Sequence, residues 1–404
     1  MSFAIPPSPV APLASILPSE PLLLMGAGPV PIPQAVAQAN GVIVNHLGAT
    51  MDRVIQNVKQ MGAYAFQTRS DKIIGLAGPS SAAMEMAISN TCWKGRKVLC
   101  LKGGTFSARL GEMAQGVGAD VTYVESEVGR PVHAEQVQAA LRKERFDVVT
   151  MAHGETSVGV QLVDLPAICR LAKEHGALTI VDAVATLSAM PLHMDEWGID
   201  VGIVGGQKAL SSIPGVSLCA FSAAAWETVE SRPLPHPHWC YDARRAQRFW
   251  GQQQYHYTAP VPGILALHEA LRLIGEETLE RRFTRHAMSS RAMQAGIEAM
   301  GLTLFTPAAV RLNSVIAINM PAGADSARVR EHMTRAFRVE ISGAFGLDIV
   351  RVGQMGEQCR SHNLFKTLYA LGMSFAREGV KLDVARGMAA LEQGLAGDRD
   401  NFVE

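Results

Sequence analysis

ALTIVDAVATLSAMPLHMDEWGIDVGIVGGQKAL, residues Ala177 to Leu210, contains two apolar runs that each end on a group capable of chemistry. Leu178 to Val181 reads as a buried parallel strand closing on Asp182. Val201 to Val204 reads as a second one, running through Gly205-Gly206 into Gln207-Lys208. In open α/β sheets, ligands bind at the carboxyl edge of the strands. A carboxylate and an amine are therefore expected to face one crevice. Singly, each is equally an ordinary strand-end acid or a surface lysine. The glycine pair shifts the reading, because missing side chains let a bulky ligand approach the backbone.

The same pattern extends outward on both sides. Ile73 to Ala77, Val98 to Leu101, Val121 to Val124, Val148 to Ala152 and Val216 to Ser222 read as further strands. Between them, Gly78 to Ile88 reads as a turn and helix start. Ala134 to Lys143 and Asp164 to Lys173 read as helices, the latter with an Asp cap and an early Pro166. Alternating strands and helices build a mostly parallel sheet. Ser80 and Ser81 fall at a helix N-terminus, where unpaired N–H groups and the positive dipole end suit a phosphate; an ordinary serine N-cap is the plainer alternative. Residues 231 to 258 break all periodicity with prolines, aromatics and arginines, which marks a functional or interface segment. Ile264 to Ile274 and Glu277 to Met300 read as long helices, the second with its Arg and Glu residues on a solvated face. Short strands (Leu302 to Phe305, Val315 to Met320, Arg338 to Ile341, Asp348 to Val352) then alternate with helices near 327–337, 363–377 and 382–393, an α+β arrangement. The expected domains are an extended arm over residues 1–22, a large domain over 23–276 and a smaller one over 277–404.

Bulk properties narrow the partners. With 37 Lys+Arg against 37 Asp+Glu in 404 residues, no long-range field recruits nucleic acid or a membrane surface, so a small polar metabolite is expected. Six cysteines without a CxxC pair fit reduced thiols rather than a disulfide framework. The apolar, proline-rich start lacks the cations of a secretory or transit signal. No run reaches the about 20 apolar residues of a membrane helix, and the final Asn-Phe-Val-Glu is no peroxisomal address. Cytoplasm is the expected compartment, and no metal is expected.

An amine and an acid in one crevice suit pyridoxal 5'-phosphate. A lysine forms a Schiff base with the cofactor aldehyde, and a carboxylate keeps the pyridine nitrogen protonated so that the ring draws electrons from the substrate. Five motifs strengthen this reading: VDAVAT (Val181 to Thr186), GGQKAL (Gly205 to Leu210) followed by Pro214-Gly215, HGETSVGV (His153 to Val160), YHYTAPV (Tyr255 to Val261) and VRVGQMG (Val350 to Gly356). In this order and spacing the chain resembles the class V, fold-type I aminotransferases, in particular the alanine-, serine- and aspartate-glyoxylate group.

The resemblance implies a seven-stranded, mostly parallel sheet flanked by helices with a smaller C-terminal α+β domain, and a homodimer whose arm lies across the partner. It implies Lys208 as the Schiff-base lysine and Asp182 on the ring nitrogen. Val184 and Thr156 would lie beside the ring and Phe106 would stack on it. Ser80, Ser81 and Gln207 would hold the phosphate, with Tyr255 and Thr258 reaching it from the neighbouring subunit. Gly28 would let substrate approach the backbone. Two positions depart from the family's habit: Ser80, commonly glycine, and Val158, commonly Ser or Thr. The loop residue His46 is read as structural. Arg351, in an otherwise apolar strand, is by itself a structural ion pair or a carboxylate anchor; with VRVG in register the anchor is favoured.

The expected activity is transfer of an amino group from alanine, serine or aspartate to a 2-oxo acid, foremost glyoxylate, by ping-pong kinetics. Alternatives on the same scaffold are pyridoxamine-pyruvate and ureidoglycine-glyoxylate transamination. Cysteine desulfuration is disfavoured by Gly206-Gln207 before the lysine. A non-catalytic binding protein is disfavoured by the intact Lys208, Asp182 and Arg351.

Overall fold

The computed structural model describes residues 10–396. Seven strands form the central sheet: Ile73–Ala77 (β1), Lys97–Lys102 (β2), Asp120–Glu125 (β3), Val148–Ala152 (β4), Leu178–Asp182 (β5), Val201–Gly205 (β6) and Val216–Phe221 (β7), in spatial order β1-β7-β6-β5-β4-β2-β3. Neighbours from β6 across to β3 run parallel. Only β7 is reversed, antiparallel to both β1 and β6. Every residue of β4, β6 and β7 is buried, which is why those strands are continuous apolar runs rather than alternating ones. The edge strand β3 instead alternates in exposure and carries Asp120 and Glu125 at its ends, charges that discourage further pairing.

Helices Ser80–Thr91 (α1) and Thr105–Gly116 (α2) follow β1 and β2. Further on come Ala243–Gln252 (α3), Val261–Glu277 (α4) and Leu279–Ala299 (α5). A second core gathers Met25 with residues from Ala292 to Leu395. Its sheet holds Val315–Asn319 (β8), Ser342–Gly343 (β9) and Ile349–Gly353 (β10) in antiparallel order β8-β10-β9. Leu23–Leu24 pairs parallel with Val339–Glu340, so the start of the chain joins this C-terminal unit. Among the described residues, no helix is long and apolar enough to cross a membrane.

Five local expectations are corrected. The arm is not wholly irregular: Leu13–Ile16 makes one helical turn with Pro12 as its N-cap, because no proline falls between 12 and 18 to interrupt it; residues 1–9 lie outside the described range. The aperiodic segment 231–258 contains α3, whose Ala243, Ala246, Phe249 and Trp250 are buried on one face while Asp242 accepts the N–H groups of Arg244 and Arg245. Its arginines hid the stripe. Asp164 does not cap its own helix; its carboxylate accepts the N–H of Ala134 at the start of the neighbouring helix and pairs with His133 at 3.0 Å. The expected strand at Leu302 to Phe305 is reduced to a single bridge, Leu304 with Ile318. Finally, α5 does not turn all its charge outward, for Arg282, Arg285 and His286 are buried.

Candidate active site

Because β1, β2, β4, β5 and β6 run the same way, their carboxyl ends bring Ser80, Phe106, Thr156, Asp182 and Lys208 to one edge of the sheet. Asp182 is buried, and its Oδ1 accepts the Val184 N–H at 2.9 Å. Burial pushes its pKa up to about 6. The Val184 N–H and Lys208 oppose that rise, and the nearby Glu155 carboxylate adds to it. Lys208 is partly buried, and its Nζ donates to the Ala27 carbonyl at 2.5 Å. Burial, with the Arg351 guanidinium second, brings its pKa down to about 8, against the pull of Asp182. An amine that sheds its proton near neutrality is poised as a nucleophile. Gly28, at φ +99°, stands over it: a Cβ there would come 2.5 Å from both Cδ and Nζ of Lys208.

The neighbouring loop end is a polar cradle. Ser80 is the first residue of α1, whose N-cap is Pro79, so the ordinary serine cap is not what it forms. Its hydroxyl instead accepts from Gln207 Nε2 at 2.9 Å. Gln207 Oε1 is buried without a partner among the described residues. A Cβ on Gly205 would lie 1.9 Å from Ser80 Oγ, so only glycine lets β6 and α1 meet here. Ser81 is exposed. The leading N–H groups of a helix have no partner within it. An anionic group with hydroxyl character therefore fits the residues at this end.

The turn between β4 and the next helix touches three of the expected groups at once. The His153 N–H donates to the Asp182 carbonyl at 2.9 Å, and the Thr156 carbonyl accepts from Arg351 Nη1 at 2.7 Å. Between them Glu155, buried, accepts the N–H groups of Phe106 (3.2 Å), Ser107 (2.9 Å) and Ser157 (3.3 Å) and the hydroxyls of Ser107 and Ser157. This carboxylate serves the N-terminus of α2, whose N-cap is Gly104 and has no side chain of its own to do so. Phe106 is thereby fixed in the first turn, with the Arg109 guanidinium 4.8 Å from its ring centroid. Sequence reasoning passed over Glu155. A lone acid one residue before Thr156 carries no signal until the fold brings α2 to it.

Arg351 is buried in β10 and pairs with no carboxylate among the described residues. Its Nε and Nη2 donate to the Gly343 carbonyl at 2.8 and 2.5 Å, and Nη1 goes to Thr156. A guanidinium has five N–H groups, so one remains on each terminal nitrogen. Among the described residues the structural ion pair is thus absent, and two donors are left for a carboxylate. Ser342, beside Gly343, accepts the Ala27 N–H at 3.1 Å, which ties β9 to the residue holding Lys208. Tyr255 and Thr258 are exposed on the single chain; the Tyr255 ring packs against His46 at 5.8 Å.

The profile of the family Aminotransferase class-V matches residues 34–378. The chain belongs to the class-V aminotransferases. It is 31% identical to the alanine–glyoxylate aminotransferase of Oryctolagus cuniculus, over 86% of this chain and 91% of that one. It is 30% identical to the L-aspartate–glyoxylate aminotransferase of Paracoccus denitrificans, over 91% and 94%. In three dimensions it matches the crystal structure of the ureidoglycine-glyoxylate aminotransferase from Bacillus subtilis with a TM-score of 0.91, at 29% identity over 94% of this chain and 99% of that one. This class-V aminotransferase accordingly has the fold-type I architecture, and the cofactor of its family is pyridoxal 5'-phosphate.

Proposed function

We propose that this aminotransferase moves an amino group from alanine, serine or aspartate to a 2-oxo acid, foremost glyoxylate giving glycine, in two half-reactions that share one site. The observation that carries the reading is the Lys208 amine, held on the Ala27 carbonyl at the same sheet edge as the buried Asp182 carboxylate. The acceptor is supported by the relatives, whose donors differ while glyoxylate recurs in each name. Ureidoglycine as donor is a second reading, favoured by the TM-score of 0.91 to the enzyme of that name.

Pyridoxal phosphate, when bound, supplies an aldehyde for the amine and a ring that withdraws electrons from the substrate's α-carbon. The protein's own residues do the rest. Lys208, its pKa lowered by burial to about 8, is the group that would join the aldehyde, and its Nζ would carry a proton to and from the α-carbon. Asp182 holds a proton on the ring nitrogen, and Val184 fixes the carboxylate's orientation through its N–H. Gln207, Ser80 and Ser81 hold the phosphate, while Phe106 and Thr156 line the ring. Arg351 anchors the substrate carboxylate with its two remaining N–H groups, and Gly28 leaves room above the lysine for the α-carbon.

Tyr255 and Thr258 are assigned to the phosphate of a neighbouring subunit in a homodimer. Their exposure on the single chain supports this. We also place the division between the cofactor-binding body and the smaller unit near residue 276, with residues 1–22 as an arm; the two separate cores support it. The cytoplasm is the proposed compartment, supported by six unpaired cysteines, five of them buried.

The test is a panel of amino donors against glyoxylate and pyruvate, scored by product, with initial rates across both substrates. Parallel double-reciprocal lines and glycine as the main product are expected. The K208A variant should lose both turnover and visible absorbance. Intersecting lines, or colour and activity that survive K208A, would overturn the reading.

A further inference from the structure

Two serines beside the lysine loop adopt a backbone conformation that side chains disfavour. Ser188 has φ +69° and Ser211 φ +58°, and both are buried. Such strain persists only where surrounding contacts over-determine it, and it clusters at functional sites. The contacts here come from α5. Arg282 Nε donates to Ser188 Oγ at 3.1 Å and Nη2 to the Ala209 carbonyl, next to Lys208, at 2.9 Å. The Ser188 hydroxyl donates to the same carbonyl at 3.0 Å, and the Ser211 N–H returns to the Lys208 carbonyl at 2.9 Å.

The same helix reaches the other end of the site. Arg282 Nη1 and Arg285 Nη2 both donate to Glu277 Oε2, at 2.8 and 2.9 Å, and Arg285 Nε donates to Oε1 at 2.6 Å. These guanidiniums hold the Glu277 carboxyl down at about 2 even though burial alone would raise it. Arg285 Nη1 donates to the Gly356 carbonyl at 2.8 Å, and the Gly356 N–H donates to His286 Nε2 at 2.9 Å. His286 therefore carries its proton on Nδ1, which it donates to the Arg282 carbonyl at 2.7 Å. Gly356, at φ +56°, lies three residues beyond the end of the strand that carries Arg351. A Cβ on it would meet Ser211 Oγ at 1.7 Å. Two arginines buried with one glutamate are a costly way to join helices, since apolar packing is often as stable or better. What apolar side chains cannot do is hold named carbonyls of two separate loops.

We propose that Arg282 is a positioning residue: through Ala209, Ser188 and the Glu277–Arg285–His286 network it makes α5 set the spacing between the Lys208 amine and the Arg351 guanidinium. This rests on reading Lys208 as the cofactor lysine and Arg351 as the carboxylate anchor. It predicts that loosening the network changes both groups together, even in a chain that folds.

The test compares R282K, which keeps the charge but loses the fork, and the milder S188A with R311K. Arg311 also binds α5, through Gln294 and Glu298, and its remaining side-chain bond goes to the Thr306 carbonyl rather than to Ala209 or Gly356. In cofactor-free protein, the pH dependence of Lys208 acetylation by acetic anhydride is followed by peptide mass spectrometry; Asp182 and Arg351 are the charged groups facing that amine. In loaded protein, affinity for acetate is followed by visible absorbance. R282K and S188A should move the acetylation midpoint by about half a pH unit or more and weaken acetate about tenfold, with R311K unchanged in both. If R282K does not fold, S188A carries the comparison alone. Wild-type values in folded R282K and S188A would overturn the positioning role. Loss of the cofactor reading is seen separately, as wild-type protein with no visible absorbance that K208A abolishes.

Discussion

At the scale of single residues, the two groups expected to act on the cofactor have pKa values shifted toward each other by burial: Asp182 up to about 6, Lys208 down to about 8. The shift at Asp182 has a consequence for cofactor capture. A cationic ring nitrogen favours the ionised carboxylate, so below about pH 6 a proton must leave before the pair can form. Apparent affinity should then fall by up to about tenfold per pH unit as the pH drops through 6, while staying level above it. Titrating apoprotein with pyridoxal phosphate between pH 5 and 8 checks this. The D182N variant should bind weakly with no such break, and an equal break in D182N would remove Asp182 from the account. Among the residues named from sequence, Lys208, Asp182 and Arg351 were legible because each ends or follows an apolar run, and Thr156 only through its motif. The two acceptors that occupy three of the Arg351 N–H groups were not, since they are carbonyls at 156 and 343 that only the fold assembles.

At the scale of elements, the turn from His153 to Ser157 is the piece on which several others depend. One carboxylate takes five donors there, so removing it leaves the first turn of α2 without its carboxylate cap and the buried Ser157 hydroxyl without its acceptor. E155A should lose about 3 kcal/mol of stability, read as a lower midpoint in urea, and should weaken cofactor binding through a displaced Phe106. E155Q, which keeps an acceptor of the same shape, should lose less. An E155A midpoint equal to wild type would mean that water or other groups replace the carboxylate. Periodicity located the central strands to within a residue or two because burial on both faces leaves a plain signal. It failed where charge and packing share a helix. In α3 the arginines masked an apolar stripe, and in α5 buried Arg282 and Arg285 read as a solvated face, since composition cannot say which way a charged side chain turns.

At the scale of the whole molecule, a site completed by a second subunit can be tested by complementation. K208A lacks its own amine but keeps Tyr255 and Thr258 to lend; a Y255A/T258A double variant keeps the amine and lends nothing. If the homodimer is shared as proposed, each alone is inactive or nearly so. Unfolding and refolding them together should restore about a quarter of wild-type activity, since half of random dimers carry one intact site. No recovery would mean that each chain completes its own site. One further trait of the architecture bears on how the protein is made. Leu23–Leu24 finds its partner strand only at Val339–Glu340, and Ser342 then takes the N–H of Ala27, the residue whose carbonyl steadies Lys208. Translation delivers those segments almost a whole chain apart. A nascent polypeptide still on the ribosome therefore lacks the Ser342 contact to Ala27 until synthesis has passed residue 342.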